Sequence, residues 1–140
     1  MAVEMEVVYE GNLGCTGRHG PSKADVVTQA PLDNGGKGDS FSPTDLLATA
    51  LGSCMLTIMG IAGKKENLDI KDTRIQVSKE MVADPLRRIG RLTVRVDVVT
   101  SEALTSRQKS VLENAAITCP VAQSIHPDIE VPTEFSYRLR

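Results

Sequence analysis

Two cysteines of this 140-residue chain stand where thiol chemistry is possible. Cys54 lies inside a long uncharged run, and Cys119 lies directly before Pro120. A thiolate attacks peroxides and disulfides, and two thiols that meet in space can close a reversible disulfide. Free cysteine is also among the most buried side chains and packs as a small hydrophobe. Composition alone favours that plain role for Cys54. Cys119 weighs against it, because a helix interrupted before a proline has backbone N–H groups free to stabilise a thiolate. Whether the two sulfurs meet is not written in the sequence. A third cysteine, Cys15, makes the number odd. There is no C-x-x-C pair and there are only two histidines, which argues against a structural zinc site or a disulfide framework.

These residues need elements to hold them. In "FSPTDLLATALGSCMLTIMGIAGKK", Ser42 is a good N-cap, Pro43 suits the first helical position, and Asp45 falls three residues after the cap. The pattern predicts a helix over 42–65, closed by Lys64 and Lys65 at its negative end. Its residues 46–63 are uncharged. That approaches the length of a membrane span, but Gly, Ser and Thr interrupt the run, no aromatic belt flanks it, and amphipathic strands surround it. A helix apolar on all sides is buried on all sides. A single sheet in so short a chain would struggle to cover it; a second subunit on the other side would, and so would a larger monomer core. Leu47, Ala50, Leu51, Cys54, Ile58 and Ile61 form the stripe expected to face the interior.

Strands are predicted at 5–10 and 24–30, with strand end and turn in "LGCTGRHGPSK" between them. "LDIKDTRIQVSKEMV" and "RIGRLTVRVDVV" alternate with period two and predict an antiparallel pair across the turn "ADPLRR". "TSRQKSVLENAAITCPV" predicts a second helix, capped by Thr105 or Ser106 and broken at Pro120. "DIEVPTEFSYRLR" predicts a last strand. The order is that of an α+β fold in one domain, residues 1–140. "GGKG" lacks the spacing of a phosphate-binding loop.

Charge and composition narrow the function. The net charge is -2, and the chain holds two Tyr, two Phe and no Trp. Neither nucleic acid nor an anionic membrane is an expected partner. The opening "MAVEMEVVYEG" lacks the basic and apolar regions of a secretory signal, so the expected location is the reducing cytoplasm.

With these motifs in place, "FSPTDLLATALGSCMLTIM" and the later "TCPVAQSIHPDIEV" closely resemble the family of osmotically inducible protein C and the organic hydroperoxide resistance proteins (OsmC/Ohr). The likeness extends over essentially the whole chain, including "GGKGDSFSP" and "EVPTEFSYRL", and is nearest the OsmC-like branch. It implies an intertwined α+β homodimer in which antiparallel sheets wrap two central helices, with active sites at the subunit interface. It implies thiol-dependent reduction of organic hydroperoxides without metal, flavin or other cofactor. By this resemblance Cys54 is the peroxidatic cysteine and Cys119 the resolving one. They form a disulfide that an external dithiol reduces, lipoyl-bearing in Ohr-type members.

An ordinary thiol, with a pKa near 8.5, is mostly protonated at neutral pH, so such a site needs a cation. The resemblance places Arg18, in "TGRHG", in the turn that supplies it, with His19 as a neighbour. Read alone, Arg18 is as readily a solvated turn arginine, and His19 reads first as an exposed turn histidine. The family glutamate that holds the arginine has no counterpart, since Thr44 occupies its position and Asp45 follows. Asp45 is thus either the substitute carboxylate or only the helix cap. Cys15 reads as structural, and Arg87, Arg88 and Arg91 as a solvated face. The departure at Thr44 keeps a second reading open: a redox-sensing or lipid-like-ligand-binding dimer with little peroxidase activity, its apolar pocket lined by Met55, Ile58 and Met59.

Overall fold

The structure, a computed structural model, describes all 140 residues. The elements run β1 (Met5–Gly11), β2 (Gly14–His19), β3 (Asp25–Gln29), α1 (Pro43–Lys65), β4 (Arg74–Val82), β5 (Arg88–Thr100), α2 (Ser106–Ile117), α3 (Pro120–Ser124) and β6 (Thr133–Leu139). They divide into two compact units, residues 1–47 and 48–140.

The N-terminal unit is an antiparallel sheet in the order β1-β2-β3. Asn12 and Leu13 take left-handed backbone (φ 52° and 66°), which reverses the chain tightly enough to pair Gly11 with Gly14. "LGCTGRHGPSK" is therefore more strand than turn. The loop after β3 folds back on itself. The N–H of Gly36 donates to the Pro31 carbonyl at 2.9 Å, and a Cβ at Gly36 would fall 1.8 Å from the Ala30 oxygen. Only glycine fits there. In this unit the buried residues are Gln29 and Ser42, with no apolar side chain among them.

The C-terminal unit has a core. β5 supplies Leu92, Val94, Val96 and Val98, each at most 1% exposed, while Arg95 on its other face is open to solvent. This is the alternation expected of a sheet with one buried face. β4 pairs with β5 antiparallel from Arg74↔Asp97 to Val82↔Arg88. β6 departs from the antiparallel expectation and runs parallel to β5, from Val94↔Thr133 to Thr100↔Leu139. Residues 101–132, which contain α2 and α3, form the long crossover a parallel pair requires.

α1 begins as predicted. The Ser42 N–H donates to the Asp45 carboxylate at 3.0 Å, and the Asp45 N–H donates to Ser42 Oγ at 3.1 Å. This reciprocal cap satisfies two N–H groups that the helix cannot. The buried stripe, however, is Ala48, Leu51, Gly52, Met55, Met59 and Gly63, rotated by one residue from the expected one. Ala50 and Ile61 face outward, and Cys54 is half-buried at the margin between the two stripes. Gly52 explains the rotation. A Cβ there would lie 3.1 Å from Ile75 and 3.2 Å from Val77, so the glycine lets the helix settle onto β4. α1 is long and apolar enough to cross a membrane by composition, but this stripe makes it a core helix.

Candidate active site

α2 is held by a full capping box. The Gln108 N–H donates to Thr105 Oγ1 at 3.1 Å, and the Thr105 N–H donates to Gln108 Oε1 at 2.9 Å. Leu112 and Ala116 of α2 are fully buried. A methyl group at Gly63 of α1 would touch Leu112 at 3.8 Å. Beyond the end of α2 the chain reaches the middle of α1, where the Val121 N–H meets Cys54 Sγ. Pro120, without an N–H, ends one helix and starts the next. Cys119 sits between them in extended backbone (φ −62°, ψ 154°) as the N-cap of α3.

Cys54 and Cys119 therefore come together. The Val121 N–H, two residues after Cys119, donates to Cys54 Sγ at 3.5 Å, and Cys54 is close enough to act on the Cys119 thiol. Both cysteines are free thiols. Cys119 has no solvent exposure. Burial pushes its thiol above the ordinary range. The Ala122 N–H pulls it down, the neighbouring Cys54 pushes it up further, and the Val121 N–H opposes that. The Val121 amide thus bonds Cys54, which is half-buried, beside a Cys119 that is sealed.

Arg18 lies on β2, in register with Glu6 of β1 and Asp25 of β3. Its guanidinium forks onto Asp25, Nε to Oδ1 at 2.8 Å and Nη2 to Oδ2 at 3.1 Å. The hydrogen bonds from Arg18 hold the Asp25 carboxyl below its usual range. The carboxylate that orients this arginine in the N-terminal unit is thus Asp25, which sequence reasoning missed. The strand register that sets them opposite each other could have found it. Asp45 is engaged in the α1 cap, and Thr44 Oγ1 lies 3.2 Å from Ser42 Oγ. His19 Nδ1 lies 2.6 Å from Ser22 Oγ within its turn. Cys15 pairs across the sheet with Tyr9 and Thr28. Arg91 is bound to Glu130 at 2.7 Å. Met55 and Met59 are sealed in the core at 1% and 0% exposure, so they do not line an open ligand pocket.

Against known proteins, the profile of OsmC-like proteins matches residues 36–134, a span that contains both cysteines. The chain belongs to the OsmC-like family. The crystal structure of a protein from Psychrobacter arcticus 273-4, provisionally assigned to osmotic stress induction and the detoxification response, is 44% identical. The match covers 94% of each chain with a TM-score of 0.85. The fold also recurs in an organic hydroperoxide resistance protein of Legionella pneumophila, at 15% identity, 97% of each chain and a TM-score of 0.73. OhrB of Bacillus subtilis shares it at 18% identity, over 97% of this chain and 98% of that one, with a TM-score of 0.67. No curated protein sequence matches the chain. These likenesses place it among OsmC-like proteins with the mixed α+β fold of two sheets.

Proposed function

We propose that the protein is a cysteine peroxidase that reduces organic hydroperoxides to alcohols. The observation that carries this reading is the meeting of Cys54 and Cys119 at the Val121 amide. The Cys54 thiolate attacks the distal peroxide oxygen, the O–O bond breaks, and the alkoxide leaves and takes a proton. Cys54 is then a sulfenic acid. Cys119 attacks that sulfur, water departs, and a Cys54–Cys119 disulfide forms. An external dithiol, lipoyl-bearing or otherwise, returns both cysteines to thiols. The Val121 N–H supports negative charge on Cys54 Sγ. Arg18, on β2 and held as a charged fork by Asp25, is assigned as the cation on the strength of the family resemblance of "TGRHG" alone.

The working unit is a homodimer in the cytoplasm. Met5, Val7 and Tyr9 on one face of the N-terminal sheet are each at least 63% exposed, and Val8 and Val27 on the other are 48% and 55% exposed. A small sheet needs a packed face to be stable, and a second copy supplies one.

The test is titration of the reduced protein with one equivalent of cumene hydroperoxide, followed by intact mass and peptide mapping. Rapid loss of two hydrogens, mapped to Cys54 and Cys119 with Cys15 untouched, is the expected result. Slow oxidation scattered over the three cysteines would remove the peroxidase reading.

A further inference from the structure

We propose that the disulfide is reopened by attack on the sulfur of Cys54, with Cys119 as the leaving group. This rests on the peroxidase reading above and adds the direction of its second half. Thiol–disulfide exchange depends on which sulfur is attacked, and attack must come in line with the S–S bond, from the side opposite the departing sulfur. Cys119 has 0% exposure, enclosed between the end of α2 and the start of α3. Cys54 is half-buried, with exposed Ala50 and Thr57 one turn away on either side along α1. Assembly with a second subunit can only lower these exposures. Cys119 therefore stays sealed in any assembly, and of the two sulfurs only Cys54 has a face open to solvent in the chain.

The first thiolate of the reductant forms a bond to Cys54 Sγ. The Cys54–Cys119 bond breaks, and its electron pair leaves on Cys119 Sγ, next to the Val121 and Ala122 N–H groups. Cys119 then takes up a proton. The second thiolate of the reductant attacks its own first sulfur and expels the Cys54 thiolate. The protein has gained two electrons, and the dithiol has lost them. Burial, which raises the Cys119 thiol, slows departure of this sulfur. It also keeps Cys119 protonated once it has left, which blunts its return to Cys54. An attack on Cys119 has no path, so access decides.

The test uses the full wild-type chain. The protein is oxidised with one equivalent of cumene hydroperoxide, and the Cys54–Cys119 disulfide is verified by mapping. It is then mixed with excess 2-mercaptoethanol, acid-quenched at short times, alkylated under denaturing conditions and mapped again. The expected product carries mercaptoethanol on Cys54 and the alkyl label on Cys119, with a preference of roughly tenfold or more at the earliest times. Adduct on Cys119, or an even distribution, overturns the proposal. Failure of the first disulfide to form overturns the peroxidase reading instead, and is seen before any thiol is added.

Discussion

Closing the disulfide should stabilise the fold by an amount the chain itself sets. Cys119 lies 65 residues after Cys54. Cross-linking a loop of that length removes about 4 kcal/mol of chain entropy from the unfolded state. Native-state distortion usually erodes such a gain. Here the amide of Val121, two residues after Cys119, already bonds Cys54 Sγ in the reduced protein, so the two cysteines start as neighbours. Most of the 4 kcal/mol should survive. At about 2–4 °C per kcal/mol for a chain of this size, oxidation should raise the melting temperature by roughly 10 °C.

The assay is thermal unfolding by far-UV circular dichroism, since the chain has no tryptophan. Reduced and peroxide-oxidised samples are compared at one protein concentration. The same cycle makes the disulfide harder to reduce in the folded protein than in denaturant, by roughly 90 mV. A mapped Cys54–Cys119 disulfide with an unchanged or lower melting temperature would refute the reasoning. It would mean that the sulfurs must be dragged together at the expense of the packing around α3.

Three further expectations concern the frame around the site. The Tyr137 hydroxyl donates to the Glu113 carboxylate, and burial, with Glu113 second, holds the phenol above its usual range. A raised folded-state pKa contributes stability that is complete below the unfolded value near 10 and is lost as pH rises through the folded one. Tyr137→Phe should therefore cost about 1.5–3 kcal/mol in urea unfolding at neutral pH. The gap to wild type should narrow in alkali, and a constant gap would exclude this linkage. Leu112→Ala, at a side chain with 0% exposure, should cost about 2–5 kcal/mol by the same measurement, and a loss below about 1 kcal/mol would mean the α1–α2 seam can collapse. Gly52→Ala trades about 1 kcal/mol of helix propensity against a squeeze on Ile75 and Val77, so it should stay within about 1 kcal/mol of wild type. Gly52→Leu has no such margin and should lose at least about 2 kcal/mol; equal stability of the two would show that β4 yields.

How far these features could be read in advance depended on how local their causes are. The cap of α1 needs only Ser42 and Asp45, three residues apart, and the box on α2 needs only Thr105 and Gln108, so both helix starts were legible. The alternation of Leu92, Val94, Val96 and Val98 fixed β5 for the same reason. The rotation of the buried face of α1 was not legible. It depends on Gly52 meeting Ile75 and Val77, more than twenty residues downstream, and an all-apolar helix carries no periodicity that marks its inner side. The parallel direction of β6 was likewise hidden, because a strand looks the same in sequence whichever way it runs. The meeting of Cys54 and Cys119 came from resemblance, since no spacing rule links residues on separate helices.

The pairing of Arg18 with Asp25 gives the assigned cation a testable sign. Arg18 is always charged, yet a carboxylate 2.8 Å away cancels much of its field at any greater distance. The bound pair acts as a dipole. Arg18→Met removes the positive end and leaves Asp25 negative, so the midpoint of the pH profile of peroxide consumption should move up. Asp25→Asn removes the negative end and keeps an oxygen to accept from the guanidinium, so the midpoint should move down, by about a unit at most. Upward shifts from both substitutions would make Asp25 a holder whose grip matters more than its charge. A profile that neither substitution moves would take Arg18 out of the chemistry and leave the Val121 amide as the identified support for the Cys54 thiolate.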